Sequence, residues 1–160
     1  MKTLSNRQIE TERLKFDYWG IFFEHVAGKL DFVLFPSPRD LNLTRFDYSP
    51  NIEGFHYSCT ITVKNWIGVK VYLCGDSPDQ NKARYDFIEE KCRYQIDAIK
   101  SKSIEWKRLD DKKLSCIIVK LEADIRDKTD WPRQMEWMYN TLMELHKIVK
   151  PHYGDIRGIE

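Results

Sequence analysis

The chain has 160 residues, 42% hydrophobic and 13% aromatic, which is ample material for the core of one domain. Seven Gly and six Pro exclude collagen-like and low-complexity classes, and 32% charged residues with a net charge of +1 suit a solvated surface better than disorder. Residues 80–120 carry 11 Lys and Arg against 7 Asp and Glu, a basic middle much weaker than the footprint of a dedicated DNA-binding domain.

The first fifteen residues are polar and mixed in charge, without the apolar core of a secretory signal. The longest apolar runs, Tyr18–Phe23 and Cys116–Val119, fall short of the ~20 residues that span a bilayer, so a cytoplasmic protein with no membrane partner is expected. A first helix is predicted over about Ser5–Ala27, capped by Ser5 or Asn6 and ended by Gly28. Ile9, Phe16, Trp19, Phe23 and Val26 form its inward stripe, and Tyr18, Ile21 and Phe22 widen it. Residues 29–54 read as irregular, because Pro36 and Pro38 flank Ser37; extended pieces are placed at Phe32–Phe35 and Thr44–Tyr48.

The clearest strand signal follows. Phe55, Tyr57, Cys59, Ile61 and Val63 alternate with polar neighbours, and so do Val69, Val71 and Leu73. A three-residue loop Trp66-Ile67-Gly68, with Gly68 left-handed, would set Val63 against Val71 and Ile61 against Leu73. That parity puts Cys59 on the apolar face and Cys74 on the other, which argues against a disulfide between them. None of the four cysteines has C-x-x-C spacing, and all four read as small buried groups.

A second helix is predicted over about Asp79–Ser101, with Ala83, Phe87 or Ile88, Cys92, Ile96 and Ile99 inward. Strands at Ser103–Leu109 and Leu114–Leu121 flank the polar turn Asp110–Lys113. A last helix starts at Thr129 or Asp130, holds Pro132 in its first turn, and buries Trp131, Met135, Met138, Leu142, Leu145 and Val149. The order α, irregular, ββ, α, ββ, α implies an α+β fold, with an antiparallel sheet of four to five strands in two hairpins and three helices on one face. No linker divides the chain, so residues 1–160 read as a single domain.

The chemistry is bounded mainly by what is missing. There is no phosphate-cradling glycine loop, no G-x-S-x-G and no H-E-x-x-H, and none of His25, His56, His146 and His152 has a carboxylate or cysteine at ligand spacing. No catalytic residue, metal or cofactor is therefore assigned. Asp124, Asp127 and Asp130 lack the alternation and central Gly of a calcium loop and read as a solvated loop with a helix cap. Asp79 with Glu105-Trp106-Lys107 resembles the Asp and Glu-x-Lys set of Mg²⁺-dependent nucleases, but a whole helix separates the parts.

In the basic segment, Lys82–Asp86, Glu89–Arg93 and Arg93–Asp97 are spaced as helix ion pairs. Lys100, Lys102, Lys107, Lys112 and Lys113 remain unpaired, and with Tyr85, Tyr94 and Trp106 interleaved they are the candidate nucleic-acid contacts. Trp66 at a hairpin tip and Trp137 on the far side of the last helix are the candidate interface residues.

One family resemblance covers about residues 15–153. Trp19 with Phe22 and Phe23, Gly54-Phe55-His56, Val69–Leu73, Ile96-Asp97 and Trp106 occur in an order and spacing that resemble the bacterial domain of unknown function 4268 (DUF4268). Lys112-Lys113-x-Ser115-x-Ile117, Asp130-Trp131-Pro132 and Trp137 continue it. Asp97 stands where Glu is usual in that family, and Cys116 where Arg is common, which weakens any site relying on that arginine. The resemblance carries over no catalytic residues. Similar domains follow restriction-endonuclease-like modules in longer proteins, which implies a role beside nucleic-acid enzymes. The preferred reading is a non-catalytic accessory or interaction domain whose partner is nucleic acid or a nuclease-like protein, with homo-oligomerisation as a further option. A Mg²⁺-dependent nuclease-like enzyme and a small-ligand-binding domain are the alternatives.

Overall fold

The computed structural model describes residues 4–29, 34–35 and 44–160. Helix α1 (Asn6–Val26) begins at a capping box, in which Ser5 Oγ accepts from Gln8 N and Ser5 N donates to Gln8 Oε1 at 2.8 Å. Beyond its end, Gly28 takes a left-handed φ of 72°. The buried side of α1 is Tyr18, Trp19, Phe22 and Val26, rotated from the expected stripe. Ile9 and Phe16 are 51% and 55% exposed, while Trp19 and Phe23 on the second half of α1 pack on Phe46.

The sheet is antiparallel throughout, in the order β1-β2-β3-β4-β6-β5. Its strands are β1 (Leu34–Phe35), β2 (Arg45–Ile52), β3 (Phe55–Ile61), β4 (Trp66–Leu73), β5 (Ser103–Lys107) and β6 (Ser115–Glu122). The expected extended piece at Thr44–Tyr48 is the start of β2. Of the piece at Phe32–Phe35 only Leu34 and Phe35 are described, and Pro36-Ser37-Pro38 lies outside the described residues. Pro50 sits where the β2–β3 register shifts between Tyr48 and Ile52, a bulge that needs no donor from it.

The β3–β4 hairpin corrects the expected register. Ile61 pairs with Ile67 and Phe55 with Leu73, so the turn is Val63-Lys64-Asn65, three residues earlier than expected. Asn65 takes the left-handed conformation (φ 63°), and Thr62 Oγ1 donates to Trp66 O at 2.6 Å across the turn. Gly68 is needed inside the strand instead, since a Cβ there would lie 2.9 Å from Val119 O. Sliding three residues on both strands preserves parity, so Cys59 is buried on the helix side and Cys74 lies on the other, both free.

Helices α2 (Pro78–Asp97) and α3 (Trp131–Val149), and a short α4 (Tyr153–Gly158), join α1 on one face. In α3 the whole expected stripe from Trp131 to Val149 is buried. In α2 Ile88, Cys92 and Ile96 point inward as expected, but Ala83 is exposed and the first turns bury polar groups instead. Asn81 exchanges bonds with the Gly75 backbone and donates to Lys113 O at 2.9 Å. Arg84 donates to Glu53 O (2.7 Å) and Ile156 O (3.1 Å). Lys82 does not pair with Asp86; its Nζ donates to Arg108 O (2.7 Å), Leu114 O (2.7 Å) and Ser115 Oγ (2.9 Å), clasping both ends of the β5–β6 connection. Asp86 pairs with Arg108 instead. Glu89–Arg93 and Arg93–Asp97 do form, at 3.4 Å each. Among the described residues no helix is long and apolar enough to cross a membrane.

Candidate nucleic-acid interface

Strand alternation divides the sheet into a face packed on the helices and a face turned away from them. Register places three cross-strand rows on the outward face. The first is Arg45, Thr60, Gly68, Lys120 and Ser103; the second is Asp47, Ser58, Lys70, Ile118 and Glu105; the third is His56, Tyr72, Cys116 and Lys107. None of these residues belongs to the main core cluster.

The rows are knitted by ion pairs and ring contacts. The Glu105 carboxylate meets Lys107 at 2.8 Å and Lys120 at 2.7 Å, and these two lysines hold it below the usual carboxylate range. Lys120 also lies over the Trp66 ring (4.4 Å), and Arg45 over the Tyr72 ring (5.7 Å). His56 stacks on Tyr72 with centroids 5.1 Å apart and planes at 34°. Lys70, half-buried in the middle, has its ammonium pushed down from the ordinary lysine value by burial, with Arg45, Lys107 and Lys120 acting in the same direction. Arg45, Lys70, Lys107 and Lys120 thus outnumber Asp47 and Glu105. Among the described residues, the buried atoms Asp47 Oδ1, His56 Nε2, Ser58 Oγ and Thr60 Oγ1 on this face have no hydrogen-bond partner.

The expected lysine cluster is split along β5. Lys100 and Lys102 flank its start, where they line a hollow with Arg133 and Trp137, and Lys102 pairs with Glu122 at 3.5 Å. Lys112 and Lys113 lie in the turn after its end, where Lys113 pairs with Asp76 at 3.1 Å. Five residues of strand separate the two groups, roughly 17 Å at 3.3 Å per residue. Only Lys107 stands on the outward face itself. None of the interleaved aromatics reaches the outward face: Tyr85 is buried and edge-on to Trp106 at 6.2 Å, Trp106 faces α2 beneath Arg93 and donates to Asp97, and Tyr94 is 91% exposed on α2.

Trp66 opens β4 rather than capping the hairpin, because the turn precedes it. Trp137 packs on the core and donates to Lys100 O at 3.0 Å. The loop aspartates are occupied as expected of a solvated loop: Asp124 pairs with Arg126, Asp127 caps the turn at Thr129, and Asp130 pairs with Arg133. Among the described residues no group of three or more His, Cys, Asp or Glu could hold a metal ion. The Glu105-x-Lys107 pair is on one strand face, but its partner carboxylate is missing there: Asp79 is exposed in the first turn of α2.

Residues 14–153 match the family described as a domain of unknown function (DUF4268). The chain belongs to that family. The match contains all the residues of the three outward rows. No curated protein and no solved structure matches the chain.

The residues missed by sequence reasoning are Arg45, Lys70, Tyr72 and Lys120. Their signal was parity. The even-numbered positions of β3 and β4 are the complement of the apolar set, so a polar and aromatic second face was already implied by the strand pattern.

Proposed function

We propose that this domain is a nucleic-acid-binding module that takes single-stranded RNA or DNA across the outward face of its sheet. The observation that carries the reading is the joint placement of Arg45, Lys70, Lys107 and Lys120 with the rings of Tyr72, His56 and Trp66 on one sheet face. Cations along a sheet attract the phosphate backbone, and rings on the same face give unpaired bases a surface to stack on. Lys102 and Lys113, at the two ends of β5, extend the basic track on either side.

The test is fluorescence anisotropy with labelled single-stranded and duplex 12-mers at several salt concentrations. Binding to single strands should weaken as salt rises, with a log–log slope of about −0.7 per phosphate neutralised. Tyr72→Ala should cost about 1–3 kcal/mol of affinity through lost stacking, and Lys70→Glu should flatten the salt slope. No retention of any oligonucleotide at low salt would sink the reading. A clear preference for duplex would show that the flat face is not the contact.

A further inference from the structure

At one end of the outward face, three strands bring a thiol, an imidazole and a carboxylate into line. Cys74 Sγ, just beyond β4, lies 3.6 Å from His56 Nδ1 on β3. The other ring nitrogen, His56 Nε2, lies 3.7 Å from Asp47 Oδ1 on β2. Both of those last atoms are buried, and among the described residues neither has a hydrogen-bond partner. The ring is held in this direction by its stack on Tyr72, and Asp47 Oδ2 faces Arg45 Nε at 3.6 Å. All three residues line one open hollow of about 480 Å³, floored where the Gly54 and Gly75 backbones meet. A nucleophile next to a base, with the base oriented by a third group, is the arrangement that activates a weak nucleophile.

We propose that Cys74, His56 and Asp47 form an acyl-transfer site, with Cys74 as nucleophile, His56 as general base and then acid, and Asp47 as the group that orients His56. This goes beyond the binding face described above and stands or falls separately from it. Burial holds His56 below the ordinary histidine value, so the ring is neutral near neutral pH, with Nε2–H toward Asp47 and the Nδ1 lone pair toward sulfur. Burial also raises Cys74, so the group enters as a thiol and its proton must be taken during attack.

As Sγ bonds to the acyl carbon, the thiol proton moves to His56 Nδ1. The bond to the leaving group then breaks, and the leaving group departs with the electron pair and the proton from Nδ1. Water resolves the resulting thioester, giving its proton to Nδ1 as it attacks. The C–S bond breaks, and sulfur recovers the proton. In the imidazolium stage the 3.7 Å gap to Asp47 is drawn toward hydrogen-bond length. Asp47, Glu53 and Asp76 all line the hollow, with Lys113 against Asp76, so the acyl donor should be a neutral or cationic ester, thioester or amide.

The probe is 4-nitrophenyl acetate with the full chain, read by nitrophenolate release and by mass of the acetylated peptide. Acetylation should fall on Cys74 ahead of the buried Cys59, Cys92 and Cys116, and should outrun that of N-acetylcysteine at neutral pH. The wild-type pH profile should carry an inflection below that of a free thiol, set by His56 within its surroundings of Asp47, Arg45, Tyr72 and Lys113. His56→Gln should slow acetylation by about 100-fold or more, His56→Gly should recover rate with added imidazole, and Asp47→Asn should move the inflection. Cys74→Ser should remove the label while leaving oligonucleotide binding intact. Label on another residue, a rate no faster than N-acetylcysteine, or a folded His56→Gln variant at wild-type rate would each overturn the proposal. The first two are read on the wild-type chain, so they decide the matter even where a variant fails to fold.

Discussion

On β3 and β4 the helix side carries Tyr57, Ile61, Ile67 and Leu73, all fully buried, while the outward side of the same strands carries His56, Ser58, Lys70 and Tyr72. On the helix side, Tyr57 OH meets Tyr153 OH at 2.7 Å, which in turn meets His146 Nδ1 at 2.8 Å. On the outward side, Asp47, His56, Ser58 and Thr60 each have a buried atom with no hydrogen-bond partner among the described residues. The helix side is apolar and closely packed, whereas the outward side is polar and charged.

Substitutions on the two faces should therefore separate stability from binding. The largest stability loss should come from Leu142→Ala under the helix face, about 2–5 kcal/mol in urea unfolding, because Leu142 is fully buried and a cavity would remain. Oligonucleotide affinity of the folded fraction should not change. Next comes Gly68→Ala, about 1–3 kcal/mol, since the new methyl would meet Val119 O at 2.9 Å and the Trp66 ring at 3.2 Å. This outward position should behave like a core one, and a neutral result would mean that the β4–β6 spacing can relax.

Lys70→Met should stay within about 0.5 kcal/mol of wild type near neutral pH, while weakening nucleic-acid binding. Burial lowers the folded-state pKa of Lys70, so in wild type stability should rise as pH climbs from that value through the ordinary lysine value of about 10.4. The Met variant should lack that rise. The smallest effect belongs to His56, whose folded-state pKa is also lowered. Its contribution is complete above the ordinary histidine value of about 6.5 and is lost as pH falls below it toward the folded value. His56→Gln should remove that part of the acid sensitivity in thermal melts followed from pH 7 downward.

Periodicity revealed most of the fold because the core is periodic. The α3 stripe and the odd-numbered set of β3 and β4 both pack as their spacing implies. The hairpin register was less legible, since two turns three residues apart give identical faces, and Asn65 fills a left-handed position as Gly68 could have done. Lys82 was expected to pair with Asp86 on the helix surface, whereas its partners, like those of Asn81 and Arg84, are main-chain carbonyls that sequence does not display. The short α4, whose Ile156 is buried, follows the Pro151 at which the last helix was expected to stop. The outward site was illegible as a set for a different reason. Asp47 on β2, His56 on β3 and Cys74 just beyond β4 are 9 and 18 residues apart in sequence, and strand register brings them together.

The five-residue β5 closes one margin of the sheet, and its outward side chains include Glu105 and Lys107, joined to each other and to Lys120. A strand so short and so charged is a poor template for another chain to extend. Growth of the sheet sideways, whether by a passing peptide or by a misfolded copy, would have to break that ion pair network first. Crowded cytosol-like mixtures should therefore leave this margin unextended, and the domain should resist fibre formation there even when α1 frays.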